Sequence, residues 1–393
     1  METSVIVAGA RTPIGKLLGT LSTLTAPELG GIAIRAAVER AGIDPGEVDA
    51  VTLGNVVQAG VGANPARQAA IAGGVPLHVP ATTLNKLCLS GLAAIGQTDL
   101  AIRAGFWNAA IAGGIESMSN APHLLRGART GFKYGSTPLE DSLDRDALIC
   151  SIDNEVMGAA TDHYQRALDI SRAAQDEFSA RSHQRAAEAI DFGRFGDEIV
   201  PVTISSRRGE TVVDTDEGVR RGTTSETLST LRPAFGADGT ITAGSASQLS
   251  DGGAALIVMS KSEAERRGLS WLAEIVSYGT VSGPDPSLLL QPAGAIRDAL
   301  RRQSETSLGD LAVLEMNEAF ASVAIASSRQ LGVDVDLVNP NGGAIALGHP
   351  VGMSGARLVL TLAMELRRRG GGYGAAALCG GGGQGDALII RVP

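Results

Sequence analysis

A histidine and a cysteine near the C-terminal end of the chain each lie in a glycine-rich turn. His349 belongs to the GHPVG segment at 348–352, and Cys379 is followed directly by four glycines. Glycine lets backbone and ligand approach a side chain closely, so a thiol and an imidazole in such settings indicate covalent thiol chemistry. A third candidate, Cys88, lies far upstream in the NKLCLSG segment at 85–91.

Cys88 is predicted to lie where a turn leads into a helix. Apolar residues recur at helical spacing directly after it, at Leu89, Leu92 and Ile95. A thiol at a helix N-terminus lies at the positive end of the helix dipole, which favours the thiolate. The alternative is a small buried hydrophobic residue, as most free cysteines are. We expect that structural role for Cys150, which has no comparable setting.

The residues around these thiols add a base and donors for an anion. Near neutral pH the His349 imidazole can accept the thiol proton of Cys88. The amides of the glycine run after Cys379 can point at a developing oxyanion. A phosphate cradle is the alternative, but the run lacks the Lys-Ser/Thr ending of a P-loop. Asn317 ends an apolar strand, where its amide can hold a water or a carbonyl oxygen, or cap the next helix.

Two cysteines and one histidine together favour one kind of mechanism. A hydrolase needs one nucleophile, one base and water. A second thiol adds another acid and base, which suits a reaction whose leaving group is itself a thiolate and whose second step removes a proton from carbon.

The composition of the 393 residues indicates a folded α/β protein. Hydrophobic residues make up 44% and aromatic residues 3%, so the core must consist of Ala, Val, Ile and Leu, as in helices packed on a buried parallel sheet. The net charge of −9 argues against general affinity for nucleic acid or anionic membranes. One stretch is locally basic, and is either a solvated loop or a landing site for a phosphate-bearing ligand. Its arginines are Arg207, Arg208, Arg220, Arg221 and Arg232.

Several absences bound the cellular setting. Three cysteines do not make a disulfide framework, and no CxxC or HExxH spacing indicates a metal site. The N-terminus leads into an apolar strand without a basic leader, no apolar run is long enough to span a bilayer, and the C-terminal tripeptide is not a peroxisomal signal. We expect a soluble protein of the reducing cytoplasm that binds neither metal, nucleic acid nor membrane.

The chain repeats one arrangement twice. In each half an apolar strand is followed by a helix with an Arg-Gln pair, a turn and helix with Ser-Gly, and a strand that runs into small residues. The corresponding segments are 53–55 and 314–317, 67–68 and 329–330, 90–91 and 354–355, and 112–114 and 379–381. Alternating strands and helices predict βαβ units and a largely parallel sheet in each half. Facing halves would bring Cys88 to Asn317, His349 and Cys379, at a junction where pockets usually form.

The residues between these halves are more charged and contain a long amphipathic helix around 175–190. We interpret this stretch as an insertion that covers the site and carries the basic residues. The predicted domains are an N-terminal half (1–119 with 249–270), a loop domain (120–248) and a C-terminal half (271–393).

Several long motifs, in one order, resemble those of the thiolase family, and within it of acetyl-CoA acetyltransferases. The resemblance covers essentially the whole chain. The segments that carry it are AGARTP at 8–13, NKLCLSG at 85–91, GGIESMS at 113–119, TAGSAS at 242–247, NEAF at 317–320, NGGA at 341–344, GHP at 348–350 and the glycine run after Cys379. It implies a fold of two five-stranded βαβαβαββ halves in a five-layer αβαβα arrangement, with an inserted loop domain.

The resemblance also implies a role for each candidate. Cys88 would be the nucleophile that takes the acyl group from an acyl-CoA, and His349 the base that activates it. Cys379 would protonate the departing CoA and then deprotonate the α-carbon of a second acetyl-CoA. His349 with a water on Asn317 resembles one oxyanion hole, and the amides of Cys88 and Gly381 resemble the other.

Contacts with CoA are implied for a further set of residues. Arg220 and Ser247 would face its nucleotide and pantetheine. The other substrate-binding residues would be Met157, Ala243, Gly244, Ala319 and Phe320. CoA is substrate and product, so neither a separate cofactor nor a metal is implied. Family members resemble one another in forming dimers or dimers of dimers, so we expect a homo-oligomer such as a homotetramer.

Two departures from the family pattern concern the acyl and pantetheine pocket. Val156 stands where many members have a histidine, and LLLQP at 288–292 replaces a Met-Gly-x-Gly-Pro segment. Chain-length preference therefore stays open between an acetyl-CoA acetyltransferase and a longer-chain 3-ketoacyl-CoA thiolase of fatty-acid metabolism. Cys379 argues against a decarboxylating ketosynthase, which pairs its cysteine with two histidines. A non-catalytic CoA-binding protein would not need both thiols and His349 together.

Overall fold

The computed structural model describes residues 2–207 and 209–393. In chain order the strands are β1 (Ser4–Arg11), β2 (Gly15–Lys16), β3 (Ala50–Gly54), β4 (Ala81–Leu84), β5 (Ala109–Ser117), β6 (His123–Leu124), β7 (Glu140–Asp141), β8 (Ile149–Cys150), β9 (Glu155–Val156), β10 (Val202–Ser206), β11 (Gly209–Val213), β12 (Ser250–Ser260), β13 (Ala273–Ser282), β14 (Leu311–Met316), β15 (Gly372–Gly380) and β16 (Gln384–Val392). The α-helices are α1 (Ala26–Ala41), α2 (Pro65–Ala72), α3 (Ser90–Arg103), α4 (Met157–Gln165), α5 (Arg172–Asp191), α6 (Ser225–Ser229), α7 (Lys261–Arg266), α8 (Gln291–Arg301), α9 (Ala321–Leu331), α10 (Ala344–Leu347) and α11 (Ser354–Arg368). Across the described ranges, none of these helices is both long enough and apolar enough to cross a bilayer.

One sheet runs through both halves of the chain. Its strand order is β14-β15-β16-β13-β1-β12-β5-β3-β4, with β2 attached to β12. The pairing of β1 with β13 joins the halves and extends over only three residues of each strand.

The sheet is mixed rather than largely parallel in each half, so that prediction is wrong. β3 pairs in parallel with β4 and β5, and β14 with β15. The other pairs along the sheet are antiparallel. Part of the reason lies in the turn at 381–383, because three residues can join antiparallel neighbours but are too few for a parallel crossover.

The first half has the expected βαβαβαββ order, but the second half lacks one regular strand among its described residues. A single bridge between Leu314 and Val338 stands in its place. The next residue, Asn339, has a φ of 49°. Its side chain accepts a hydrogen bond from the Met316 N–H and donates one to the Met316 carbonyl. A side chain therefore satisfies backbone groups that a neighbouring strand would otherwise pair.

Local sequence signals explain where several helices begin and end. α1 starts with a capping box, in which Thr25 accepts from the Glu28 N–H and Glu28 accepts from the Thr25 N–H. It ends at Gly42, whose φ of 66° is the left-handed conformation that favours glycine. α9 ends in the same way at Gly332.

The helices and the two half-sheets form five layers. α1 and α2 cover the first half-sheet, α8 and α9 cover the second, and α3 and α11 lie between them. A Cβ atom on Gly91 would lie 2.8 Å from the Gly352 carbonyl oxygen, and one on Gly355 would lie 2.3 Å from the Leu92 nitrogen. Glycine thus lets the N-terminal ends of α3 and α11 meet. The buried clusters consist mainly of Ala, Val, Ile and Leu, as the composition predicts.

The predicted loop domain, 120–248, contains three two-stranded ribbons and the helices α4, α5 and α6. Arg11 fastens this segment to the first half. Its guanidinium is fully buried and donates to the carboxylates of Glu198 and Asp216. The boundaries of the three predicted domains stay a prediction.

The predicted basic stretch does not act as one cluster in this segment. Arg207 lies at the tip of the β10–β11 hairpin, and Arg221 is paired with Asp191. Arg208 lies outside the described residues. Arg220, the arginine of this stretch that is predicted to contact CoA, is exposed.

Candidate active site

Cys88 lies in a tight turn between β4 and α3. Leu87 has a φ of 52°, in a region that bulky residues avoid. The Leu87 N–H donates to Asn85 Oδ1 at 3.0 Å. The Ser90 hydroxyl accepts from the Lys86 N–H at 2.8 Å and donates to the Leu87 carbonyl at 2.6 Å. These bonds hold the strained turn, and the thiol lies directly before the first turn of α3, as predicted.

His349 has a defined ring orientation. Its Nδ1 lies 2.6 Å from the Ser354 hydroxyl, and that hydroxyl donates to the Pro350 carbonyl at 2.9 Å. Because the single hydroxyl hydrogen is used in this way, Nδ1 must carry the ring proton and Nε2 the lone pair. The imidazole is therefore in the tautomer that a general base at Nε2 requires.

Asn317 faces this lone pair from the end of β14. Its backbone N–H donates to the Ala377 carbonyl at 2.9 Å, which fixes it beside β15. The side-chain Nδ2 lies 3.3 Å from His349 Nε2. The other amide atom, Oδ1, is buried and has no partner among the described residues. The side chain therefore offers one donor to the base and one open acceptor.

Cys379 and Gly381 come from the β15–β16 hairpin. Cys379 pairs with Gly385 within the hairpin and is buried. The Gly381 N–H lies close enough to the Cys88 sulfur to lower the pKa of that thiol, against the larger opposite effect of burial. A Cβ atom on Gly381 would lie 2.2 Å from the Met157 methyl carbon. Glycine at this position is therefore what brings the amide to the thiol.

Burial keeps the three reactive groups neutral. It raises the pKa of the Cys88 thiol to about 12, with the negative Glu116 adding to the effect. It also raises the pKa of Cys379 far above the usual range, and the neighbouring Cys88 is the second cause. Burial, followed by the positive Arg357, lowers the pKa of His349 to about 3. The resting site thus holds two thiols and a neutral imidazole, and a thiolate forms only as the sulfur reacts.

The five residues proposed for catalysis form two groups, one around the thiols and one around the imidazole. Asn317 contacts His349, the Gly381 amide reaches Cys88, and the Cys379 thiol is close enough for Cys88 to shift its pKa. Val351, two residues after His349, lies in the same apolar cluster as Cys88. The individual roles of these residues stay predictions.

Four of the residues predicted to bind CoA lie along one seam that leads to the second thiol. The Ser247 N–H donates to the Ala319 carbonyl at 3.0 Å. Met157, Ala319 and Phe320 share one apolar cluster with Cys379. This seam can therefore carry an extended chain toward the thiols.

The other three predicted CoA contacts lie farther out. Ala243 is exposed and Gly244 is buried. Arg220 follows two residues after Gly218, whose carbonyl accepts from Gln248 Nε2 at 3.0 Å. This bond brings the backbone two residues before Arg220 beside Gln248, at the end of the 243–247 segment.

A pocket of about 660 Å³ opens beside the Cys88 turn. Its lining includes Leu87, Cys150, Met157 and Gly381. Because Leu87 precedes Cys88 and the Gly381 amide lies near its sulfur, the pocket reaches the immediate surroundings of the thiol. Cys150, which we expected to be structural, is buried in its wall. Val156, the first of the two departures, is 39% exposed just before α4.

The second departure from the family pattern lies at the inner end of the seam. Leu288 and Leu289 are both buried, and they belong to the apolar cluster that contains Cys379. Large aliphatic side chains therefore pack in the same buried cluster as the second thiol.

The sequence analysis missed two residues that position the site. One is Ser354, which orients the His349 ring. The other is Glu116, which is fully buried and whose pKa burial raises to about 7. Its carboxylate accepts four hydrogen bonds of 2.7–3.2 Å, from the Asn55 side chain and from the N–H groups of Val56, Val57 and Gly352. A charged residue in an apolar strand was the available signal for Glu116. The Ser-Gly pair at 354–355 marked Ser354 as a helix start, but not as the partner of the His349 ring.

A duplicated α/β fold with one thiol from each half at the junction is typical of proteins that transfer acyl groups between thiols. The comparisons with known proteins give the particular family. Residues 4–262 match the thiolase N-terminal domain, and residues 269–392 match the thiolase C-terminal domain. The chain belongs to the thiolase family.

Similar proteins cover the chain from end to end. A probable acetyl-CoA acetyltransferase of Mycolicibacterium smegmatis is 55% identical over 98% of this chain and 100% of its own length. An acetyl-CoA acetyltransferase of Pseudomonas aeruginosa is 48% identical over 99% of both chains. The crystal structure of the Bacillus anthracis acetyl-CoA acetyltransferase superposes with a TM-score of 0.97 and 41% identity, covering 100% of this chain and 99% of the other. The predicted family and fold class are confirmed.

Proposed function

We propose that this chain is an acetyl-CoA C-acetyltransferase. It condenses two acetyl-CoA molecules to acetoacetyl-CoA and CoA, and runs the reverse thiolysis, through an acetyl group on Cys88. The observation that carries the proposal is the pair of buried thiols, Cys88 and Cys379, close enough for one to raise the pKa of the other. A buried imidazole whose Nε2 faces Asn317 supplies the base. The full-length relatives named acetyl-CoA acetyltransferase support the same activity.

In the first half-reaction the Cys88 sulfur attacks the thioester carbonyl of acetyl-CoA. His349 Nε2 takes the thiol proton as the carbon–sulfur bond forms, because neither group is charged in the resting site. The bond to the CoA sulfur then breaks, and Cys379 gives its proton to the departing thiolate. The products are acetyl-Cys88, free CoA, a Cys379 thiolate and a protonated His349.

In the second half-reaction the Cys379 thiolate removes a proton from the methyl carbon of a second acetyl-CoA. The resulting carbanion attacks the carbonyl carbon of acetyl-Cys88, and the Cys88 sulfur leaves with the proton held by His349. Acetoacetyl-CoA is released and all three groups return to their neutral forms.

Two sets of donors are placed to stabilise the negative oxygens of these steps. The Gly381 amide already reaches the Cys88 sulfur, so with the Cys88 amide it can hold the oxygen of the acyl group attached there. Asn317 Oδ1 can hold a water that, together with His349, faces the thioester oxygen of the second acetyl-CoA.

The proposal includes the setting of the enzyme. CoA is substrate and product and no other cofactor takes part. Arg220 and Ser247 contact its nucleotide and pantetheine, with Met157, Ala243, Gly244, Ala319 and Phe320 along the channel. We place the enzyme in the cytoplasm as a homo-oligomer. Leu288 and Leu289 favour the acetyl group over longer chains, because they fill space beside Cys379.

The decisive experiment is the intact mass of the protein after brief exposure to acetyl-CoA without free CoA, followed by peptide mapping. The expected result is one added acetyl group on Cys88, and none in Cys88→Ala. No adduct despite measurable acetyl-CoA binding would contradict the proposal, and an adduct on Cys379 would reverse the roles of the two thiols. Rates with butyryl- and octanoyl-CoA then test the acyl preference.

A further inference from the structure

Arginines converge on one pocket far from the thiols. The pocket has a volume of about 710 Å³, and the residues of its lining used below are Phe192, Asp197, Arg40, Arg194, Arg367 and Arg368. It lies at the C-terminal end of α11, whereas His349 is held at the N-terminal end by Ser354. At a rise of 1.5 Å per residue the two ends are roughly 20 Å apart. This pocket is therefore separate from the site described above.

Three of these arginines have no carboxylate within bonding distance. Arg40 donates to three backbone carbonyl oxygens, and Arg194 donates to the side-chain oxygen of Asn341. The Arg367 side chain has neither an ion pair nor a hydrogen bond with the described part of the chain. Their partners are neutral groups or solvent, so their charges remain available to an anion.

The fourth arginine shares its carboxylate. Arg368 and Arg369 both pair with Glu365. The pKa of Arg368 is lowered by burial first and then by the positive charges of Arg194 and Arg369. Asp197 is the single carboxylate of the described lining, so the pocket keeps a surplus of positive charge.

An aromatic ring stands at the same pocket. Phe192 follows the last residue of α5 and is 72% exposed. The Arg194 guanidinium lies 5.3 Å from its ring centroid. An exposed ring beside clustered arginines can stack on the base of a nucleotide while the arginines bind the phosphates of the same nucleotide. The pocket volume is also within the range of about 300–1,000 Å³ that small ligands occupy.

We propose that this pocket is a second ligand site that binds a nucleoside diphosphate, with the base on Phe192 and the phosphates on Arg194, Arg367 and Arg368. Arg40 adds positive charge, since three of its five N–H groups are used by carbonyls. The inference stands apart from the proposed acetyl transfer, because it uses none of the residues of that site.

ADP is the probe, and its binding to the full chain is measured by calorimetry. CoA contains an ADP unit, so the background is Arg220→Ser, which weakens ADP binding at the proposed CoA site. In this background we expect one ADP per chain. Adding Arg194→Ser and Arg367→Ser should weaken that binding tenfold or more. The matched control adds Arg301→Ser, an exposed arginine of α8, and should keep the affinity. No ADP binding in the Arg220→Ser background, or equal affinity with and without the pocket arginines, overturns the site.

A second variant tests the nucleoside. Phe192→Ala should weaken ADP about fivefold or more, since stacking contributes about 1–3 kcal/mol per base. It should leave the affinity for inorganic pyrophosphate unchanged. Equal effects on the two probes would overturn the assignment of the base to Phe192. Circular dichroism and urea unfolding establish that each variant is folded.

Discussion

The two halves of the molecule use equivalent serines differently. Ser90 begins α3 and Ser354 begins α11, and each hydroxyl donates to a carbonyl in the preceding turn. In the first half the hydroxyl oxygen accepts from the Lys86 backbone, whereas in the second half it is bonded to the His349 ring. One helix start therefore fixes the turn that carries a thiol, and the other orients an imidazole.

The asparagines that follow the equivalent strands β3 and β14 differ in the same way. Asn55 donates to the buried carboxylate of Glu116, which also holds the loop at Gly352. Asn317 instead approaches His349. The duplicated scaffold thus supplies equivalent positions, and the second half turns them toward reacting groups.

Removing the thiol of the second half should separate the two half-reactions. In Cys379→Ala the condensation rate should fall about 10³-fold, within the range that a general acid and base provide. Acetyl-Cys88 should still form, because its nucleophile and base are intact. Acetoacetyl-CoA formation and intact mass measure the two steps. Cys150→Ala is the matched control, and it should keep both the condensation rate and the formation of acetyl-Cys88. Condensation at the wild-type rate in Cys379→Ala would refute the role of this thiol.

Adding a methyl group where α3 and α11 meet should destabilise the fold unequally. A Cβ at 355 would lie 2.3 Å from a backbone nitrogen, and one at 91 would lie 2.8 Å from a carbonyl oxygen. We expect Gly355→Ala to lower the free energy of unfolding by about 3 kcal/mol and Gly91→Ala by about 1–2 kcal/mol. Urea unfolding measures both. Gly236 has open space around it, so Gly236→Ala should change the free energy of unfolding little. Equal values for the two sites would show that the crossing relaxes symmetrically.

The equivalent serines should separate into catalytic positioning and stability. Ser354→Ala should lower kcat about tenfold or more with KM unchanged, because His349 loses the partner that fixes its tautomer. Ser90→Ala should instead lower the free energy of unfolding by about 1–3 kcal/mol, because buried backbone groups lose their partner. Steady-state kinetics and urea unfolding on both variants make the comparison. Wild-type kcat per folded molecule in Ser354→Ala would reduce that serine to a structural role.

Acid should destabilise the protein through its buried histidines. Burial lowers the pKa of His349 to about 3 and that of His183 to about 4, against about 6.5 in an unfolded chain. From pH 6.5 downward the unfolded chain binds more protons, so the free energy of unfolding falls as pH falls, by about 1.4 kcal/mol per pH unit for each histidine. Each histidine's full contribution to this loss of stability is reached only below the pKa that the histidine has in the folded protein.

His183→Asn tests this linkage without touching the thiols. The asparagine can still accept a hydrogen bond from the Arg220 backbone N–H, as His183 Nδ1 does. We expect the free energy of unfolding to fall less steeply between pH 6.5 and 4.5, because the contribution of one histidine is removed. Urea unfolding at several pH values measures this slope. An unchanged slope would mean that His183 is protonated in the folded protein.

Much of the fold and the site could be read from local patterns. The Ser-Gly pairs at 90–91 and 354–355 predicted equivalent helix starts, and the strand-helix alternation predicted duplicated halves. The position of Cys88 before a helix followed from the apolar spacing after it. The strand directions were predicted less well, because antiparallel pairing of β1, β12, β13 and β16 depends on partners far away in the chain.

The residues and their order determined the family, the two thiols, the imidazole and the glycines that let ligand and backbone approach them. Only the tertiary structure decided the protonation and orientation of these groups. His349 is neutral because burial removes water from it, and its tautomer depends on Ser354 and the Pro350 carbonyl. The approach of the Gly381 amide to Cys88 brings together segments almost 300 residues apart in the numbering. Burial and contacts across the two halves arise only when the chain folds, so no local pattern can record them.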